Sequence, residues 1–499
     1  MEDKIISLFI TDCREIERFM LERELKSHKS YFDKIYFVGE CDKNIKNKFD
    51  NIIEINIKDI NKFEYDYIKT NNIDLIENKE DFEYIIKLKN SFVLSKFPIE
   101  SPINLKDFKI VERDVNSLYI KTYDNIYNFE KYKNKIVFID EIEYDIKDLY
   151  HHENVLKVTK RILDNFDWKK YSALTHRVKQ FKTLKTHIAN NYNDEVSQAF
   201  LKMYEILETF DLFDLPDLRF KTFHFCEAPG QFIKSIEYYL KSKDKTLDWN
   251  AQSLQVTKDN KYNPLGDKYG LIKNNPERWT FGPDGSGDIT KDSVIKSYKE
   301  ICQDSVLITS DCGLSSITCW DMTYHDKIMA YINFCQILAI LYNLPKKGNF
   351  IAKVFLPQTV NYIVSLNYIL VNCFESFHVY KPYLNPVSSE VYLIGKNYSP
   401  LSNKTLNKLF KIKDNLNLEK GFLKIDNTFL KEYQKCFIKF ILSHLDKVKS
   451  NIYFYENNIK FDQKKLKSIY NFNNSFWIKK FNFVKLKDDY NLEDIIKNT

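Results

Sequence analysis

The sequence predicts an α/β protein: a mostly parallel sheet with helices on both faces, preceded by an N-terminal α/β or α+β domain and followed by a helical tail. Three observations carry that expectation. Between residues 221 and 397, short apolar runs alternate with amphipathic or apolar segments of helical length. A tight turn, "CEAPGQF" at 226–232, follows the first of these runs and opens directly into a helical pattern. Charged residues then stand at or near the ends of several runs, as a ligand crevice at strand ends requires.

The elements follow in chain order. In residues 1–150, "KIISLFI", "KIYFVG", "NIIEINI" and "KIVFID" read as strands, with "EIERFMLERELKSH" as a helix between the first two. Nothing there carries recognisable chemistry. Residues 151–210 turn helical. Then "KTFHFCEAP" reads as a strand, "QFIKSIEYYLKS" as a helix, "VLITSD" as a strand, and "KIMAYINFCQILAILY" as a long helix. "GNFIAKVF" gives a strand, "VNYIVSLNYILVNCF" a helix, and "FHVYKP" and "EVYLIGKNY" two strands that complete the sheet. From 401 onward the pattern is helical, rich in Lys and aromatics. The expected division is therefore 1–150, 151–400 and 401–499.

Composition narrows the class. The chain has 499 residues, 44% hydrophobic and 15% aromatic, which excludes general disorder. No apolar run approaches the roughly 20 residues that span a bilayer, and the N-terminus lacks a signal-peptide pattern, so a soluble intracellular protein is expected, with no membrane partner. Cys13, Cys41, Cys226, Cys302, Cys312, Cys319, Cys335, Cys373 and Cys436 form no C-x-x-C pair and are expected to be reduced packing residues. No His/Cys cluster suggests a metal; His151 and His152 read as surface residues. Lys, Asn, Ile, Phe and Tyr all have AT-rich codons, so their abundance is weak evidence of binding. Charge distribution says more: residues 401–499 carry 20 Lys against 11 acids, a net of +9, while residues 1–150 net −6. A basic tail suits a polyanion, although a solvated lysine face gives the same count.

The turn itself excludes some ligands. With one glycine and a proline, "CEAPGQF" is not G-x-G-x-x-G and offers no pyrophosphate cradle, which argues against NAD and FAD. An adenosine ligand without phosphates, such as S-adenosyl-L-methionine, fits better. Asp311 ends "VLITSD", Lys353 lies near the end of "NFIAKVF", Glu390 starts "EVYLIGKNY", and Lys202 sits on the helix ahead of the first strand. Each alone reads as a surface charge; four around one crevice do not.

Residues 170–397 resemble the FtsJ-like ribose 2'-O-methyltransferases, whose signature is a Lys-Asp-Lys-Glu tetrad in this chain order. The residues that carry the resemblance are "QAFLKMYEIL" (Lys202), "CEAPGQFI", "NNPERWTFGPDGSGDIT" (Asp288), "TSDCG" (Asp311), "GNFIAKVF" (Lys353) and "SSEVYLIGKNY" (Glu390). The similarity is greatest to the cap-specific branch acting on the second transcribed nucleotide and to a related protein of asfarvirus-like large DNA viruses. It implies a Rossmann-like methyltransferase sheet, S-adenosyl-L-methionine as cofactor and RNA, capped mRNA in particular, as partner. It further implies a location in the cytoplasm or virion for a viral protein, or in the nucleus for a cellular one. Lys353 would be the base or steering residue, Asp311 its partner near the methyl group, and Lys202 and Glu390 the groups that fix the ribose. Backbone around Gly230, Gln231 and Phe232 would line the methionine and ribose, Asp288 would accept from the adenine amino group, and Trp249 would flank the site or sit in the core. The usual acid at the end of the second strand is missing, leaving Asn250 or Ser253. Ribosomal or transfer RNA as substrate, and a catalytically silent RNA-binding subunit, are the alternatives.

Overall fold

The computed structural model describes residues 115–486, apart from 121–123, 133, 164–165, 193–195, 256–265, 314–321, 385, 387 and 415–419, together with six strands nearer the N-terminus. These strands are β1 (Ile5–Ile10), β2 (Phe32–Val38), β3 (Ile52–Ile55), β4 (Tyr67–Thr70), β5 (Tyr84–Lys87) and β6 (Phe92–Ser95). They form one sheet in the order β3-β2-β1-β4-β6-β5, parallel from β3 to β4 and antiparallel beyond it. The helix expected over 15–28 lies outside the described residues.

The chain divides into two compact units, residues 1–109 with 153–167 and 319–325 in one, and the remainder in the other. The second unit begins with β7 (Ile126–Asn128) and β8 (Phe138–Ile142). Here the structure departs from the reading of "KIVFID" as an N-terminal strand: β8 pairs with β16 (Gly421–Leu423), and β7 joins the edge of the large sheet beside β14. Both pairings span more than 240 residues, a separation that local pattern does not encode.

Helices α1 (Lys147–Ile162), α2 (Trp168–Arg177), α3 (Leu184–Tyr192) and α4 (Gln198–Phe210) precede the large sheet. Next come β9 (Arg219–Phe225), α5 (Gln231–Lys241), β10 (Thr246–Gln252), β11 (Trp279–Thr280) and β12 (Leu307–Ser310). Then α6 (Met322–Asn343), β13 (Asn349–Phe355), α7 (Asn361–Cys373), β14 (Phe374–Tyr380) and β15 (Glu390–Tyr398) complete it. The strand order is β11-β10-β9-β12-β13-β15-β14-β7. It is parallel from β11 to β13 and antiparallel at β15, β14 and β7. Chain order reverses between β9 and β12, so the loops leaving those neighbouring strands diverge and open a crevice at their carboxyl ends.

Packing follows from residue spacing. Phe232, Ile233, Ile236, Tyr239 and Leu240 fall at helical intervals along α5 and are all buried against the sheet and α4. The stretch of α6 from Phe334 to Leu341 is apolar nearly all round and correspondingly buried. Helices α8 (Asn403–Asp414), α9 (Asn427–Glu456) and α10 (Gln463–Lys480) form the C-terminal region. Asp426 caps α9 by accepting from Phe429 N, and Phe429, Tyr433, Phe437, Phe440 and Ile441 give that helix a buried face. Trp477, Phe481 and Phe483 belong to the same core as α4 and α5. The apolar face of the basic tail is therefore structural.

Candidate active site

Four elements bring the tetrad together. Ser197 caps α4, accepting from Phe200 N at 3.0 Å, and the helix carries Lys202 inward, where Nζ donates to Glu390 Oε2 at 2.5 Å. Antiparallel pairing of β13 with β15 sets Phe355 opposite Glu390 and Lys353 opposite Tyr392. Tyr392 Oη donates to the other oxygen of Glu390. Beyond β12, Asp311 N donates to Phe225 O at 3.2 Å, and its carboxylate pairs with Lys353 Nζ, which also donates to Asp311 O at 3.2 Å. Gln336 on α6 braces the two strand ends, accepting from Ser310 Oγ at 2.8 Å and donating to Lys353 O at 2.9 Å.

The two ion pairs differ in access. Lys202 and Glu390 side chains are 9% and 11% exposed, Lys353 and Asp311 14% and 25%. The second pair is the more exposed. Burial tends to raise the pKa of Glu390, yet Lys202 and Lys353 outweigh it and hold the carboxyl down to about 2. For Lys353, burial works towards a lower value, but Asp311 and Glu390 outweigh it and the net shift is upward. The lysine is an ammonium at neutral pH in this arrangement. Asp311 moves up, chiefly through burial and against the pull of Lys353.

The cofactor-side residues divide. Gly230 stands at φ 93°, and a Cβ there would lie 2.2 Å from Leu271 Cδ2, so only glycine fits the turn. Phe232 is buried with its ring against Tyr392, and its N–H is taken by Glu227 Oε1 at 2.8 Å. That backbone N–H is therefore already taken by a side-chain carboxylate of the same turn. Asp288 sits in a loop fastened to the end of β10: Gln252 Nε2 donates to Gly287 O at 2.5 Å. Asp288 Oδ1 accepts from Thr290 N and Oγ1. Lys413 on α8 holds the following turn through Thr290 O and Asp292, both at 2.8 Å. Trp249 does not reach the rim; it is buried in the core, 6.0 Å from Trp279 with Arg278 over its ring. Of the two ribose candidates, Ser253 is buried and accepts from Ala228 N at 3.4 Å, while Asn250 lies within β10 opposite Phe223.

Four features were missed by sequence reasoning. Cys226 and Cys312, expected to be reduced, are joined in a disulfide across the switch point with Cα atoms 5.1 Å apart. They are 86 residues apart in sequence but follow adjacent strands, which only the strand order reveals. Glu205, one turn beyond Lys202, is buried and accepts from Trp477 Nε1 at 2.7 Å, Tyr383 N at 2.8 Å and Tyr380 Oη at 3.0 Å. Glu227, inside the quoted turn, caps α5. His224 is buried between Thr222 and Thr309, and burial lowers its pKa to about 3, so it stays neutral and structural. Among the described residues no cluster of three metal-ligating side chains occurs and no helix is long and apolar enough to cross a membrane.

A parallel sheet reversing between β9 and β12, with an acidic turn after one strand and Asp311 after the other, is a Rossmann-like α/β arrangement. Residues 195–398 match the family model described as FtsJ-like methyltransferase. Over 334 residues the chain is 32% identical to an uncharacterized protein of Acanthamoeba polyphaga mimivirus, covering 64% of this chain and 41% of that one. It is 27% identical over 356 residues to cap-specific mRNA (nucleoside-2'-O-)-methyltransferase 2 of Pongo abelii, covering 66% and 44%. With "Probable methyltransferase EP424R" of African swine fever virus (isolate Warthog/Namibia/Wart80/1980), it shares 28% identity over 286 residues, covering 54% and 62%. The chain thus spans less than half the length of the first two.

Proposed function

We propose that the chain is an S-adenosyl-L-methionine-dependent RNA ribose 2'-O-methyltransferase acting at the 5' cap region of mRNA. The observation that carries the reading is the convergence of Lys202–Glu390 and Lys353–Asp311 at the strand ends of an FtsJ-like domain. S-adenosyl-L-methionine supplies the electrophilic methyl group when bound; Gly230, Gln231 and Asp288 are the residues that would hold it. A ribose hydroxyl is barely ionised at neutral pH. Lys353, as an ammonium, donates to the hydroxyl oxygen and turns a lone pair into line with the methyl carbon. The methyl–sulfur bond would break as the C–O bond forms, leaving the thioether S-adenosylhomocysteine, and the hydroxyl proton, by then strongly acidic, would pass to water. Asp311 holds the ammonium in place, and the more deeply set Lys202–Glu390 pair fixes its far side.

A basic surface supports an RNA substrate. Residues 168–193 contain Lys169, Lys170, Arg177, Lys179, Lys182 and Lys185 and no Asp or Glu. An open cavity of about 600 Å³ there is lined by Trp168, Lys169, His176, Arg177 and Lys182 among others. A second, of about 180 Å³, shares His176 and Lys182 and extends to Gln198, the first residue of α4 and one turn before Lys202. Trp168 is 67% exposed, an aromatic face on which a base or a cap guanine could stack. Phosphate contacts of this kind position the chain, while stacking adds preference.

The test is methyl transfer from labelled S-adenosyl-L-methionine to capped and uncapped RNA of identical sequence. Capped RNA is expected to be the better substrate by about 10-fold or more, and Trp168→Ala to reduce that preference, stacking being worth roughly 1–3 kcal/mol. Equal rates on both RNAs would remove the cap from the assignment.

A further inference from the structure

The loop that carries Asp288 is fastened by a helix outside the matched region. Thr290 is the link: its N–H and its hydroxyl both donate to Asp288 Oδ1, at 3.0 and 2.7 Å, and its carbonyl accepts from Lys413 Nζ at 2.8 Å. One residue thus joins the two side chains. Lys413 lies on α8, beyond the residues 195–398 that match the family model, and is 5% exposed. Its ammonium also pairs with Asp292 at 2.8 Å and with Asp414 at 3.0 Å. Burial works towards a lower pKa for this lysine, but the bonds to Asp292 and Asp414 outweigh it and the net shift is upward. The group is a cation at neutral pH.

Packing fixes where that cation stands. Leu406, Leu409 and Phe410 bury one face of α8, with the Phe410 ring edge-on to Tyr342 of α6 at 5.5 Å and Lys296 over its face at 4.2 Å. On the other side the loop closes on β10: a Cβ at Gly287 would lie 1.9 Å from Ser253 O, and Gln252 donates to Gly287 O. Asp288 is therefore held between two anchors, β10 at 287 and α8 at 290. Both bonds from Thr290 go to Oδ1, so Oδ2 is the oxygen left for a donor of the ligand. We infer that Lys413 is a positioning residue for the base of the methyl donor: through Thr290 it sets the direction in which Asp288 meets the adenine amino group. The inference rests on the S-adenosyl-L-methionine reading above and adds to it a control on that site from the C-terminal region.

Calorimetric binding of two probes tests it without turnover. S-adenosylhomocysteine presents the adenine amino group; S-inosylhomocysteine has an oxygen in that place, an acceptor where Asp288 needs a donor. The parent is expected to prefer the first about 10- to 100-fold, the range for a hydrogen bond to a charged group. Lys413→Met keeps the length of the side chain and removes the ammonium. It is expected to narrow that preference about 10-fold, chiefly by weakening S-adenosylhomocysteine, because an acceptor turned out of line loses most of its bond. Lys413→Arg keeps a cationic donor and is expected to retain most of the preference. Lys413→Gln, neutral and too short to reach Thr290 O, serves if Lys413→Met does not fold. A brace that merely stabilises the fold would weaken both probes alike, and an unchanged ratio in a folded variant overturns the inference. A parent that binds the two probes equally removes Asp288 from the adenine and the inference with it, whereas a parent that binds neither overturns the S-adenosyl-L-methionine reading itself.

Discussion

Lys353→Ala is expected to lower turnover by at least about 10²-fold while the protein stays folded and still binds S-adenosyl-L-methionine, the loss typical of a removed acid–base or positioning group. The side chain lies on β13 and reaches the crevice rather than the core, and Asp311, a quarter exposed, can be rehydrated when its partner is gone. The consequence falls on geometry: the hydroxyl oxygen loses the donor that aims it. The pH profile separates steering from base catalysis. Because Asp311 and Glu390 overcome the effect of burial and raise the Lys353 pKa above 10.5, the ammonium persists through the neutral range. Turnover should then be nearly flat from about pH 7 to 9, whereas a lysine that had to shed its proton first would give a rate rising close to tenfold per unit. Turnover of Lys353→Ala within a few-fold of the parent takes Lys353 out of the assignment.

Trp477→Ala is expected to cost about 3–5 kcal/mol of stability, the range for truncating a buried aromatic, and more than any change to a tail lysine. The indole is fully buried among Tyr204, Phe481 and Phe483, and its Nε1 donates to Glu205, so the substitution opens a cavity and strips a donor from a buried carboxylate. Trp477→Phe keeps much of the ring and isolates the hydrogen bond, at about 1–3 kcal/mol. Chemical denaturation of the two variants checks both. Burial raises the Glu205 pKa to about 7 against the pull of Trp477, Tyr383 and Tyr380. A carboxyl with a folded pKa above its unfolded value of 4.5 stabilises most fully below 4.5, and the contribution is lost as pH rises through about 7. Glu205→Gln should remove that slope. A Trp477→Ala protein as stable as the parent would mean that the tail is not part of the core.

Legibility in the sequence followed how local each signal was. Asp311, Lys353 and Glu390 stand beside strand ends that their own neighbours announce, and Lys202 lies on a helix with a Ser cap and regular apolar spacing. The alternation of strand and helix from 221 to 397 carried the sheet for the same reason. Trp249 was ambiguous because parity along β10 sets it on one face with Leu247 and Ala251 without saying whether that face meets the core or the ligand rim. The strand β7, the Cys226–Cys312 bond and the Glu205–Trp477 contact each join segments from 86 to more than 250 residues apart, and no window of sequence contains both halves. Glu227 was quoted as part of the turn and passed over, since its two oxygens are told apart only by which backbone N–H groups reach the first.

The central claim is that Lys353 and its partners direct a methyl group to a ribose oxygen. RNA methylated by the purified chain, digested to nucleosides and resolved by mass spectrometry, tests it most directly. The account predicts label on a 2'-O-methylribose, with Lys353→Ala abolishing that product; label on a base, or a 2'-O-methyl product that persists undiminished in Lys353→Ala, would contradict it.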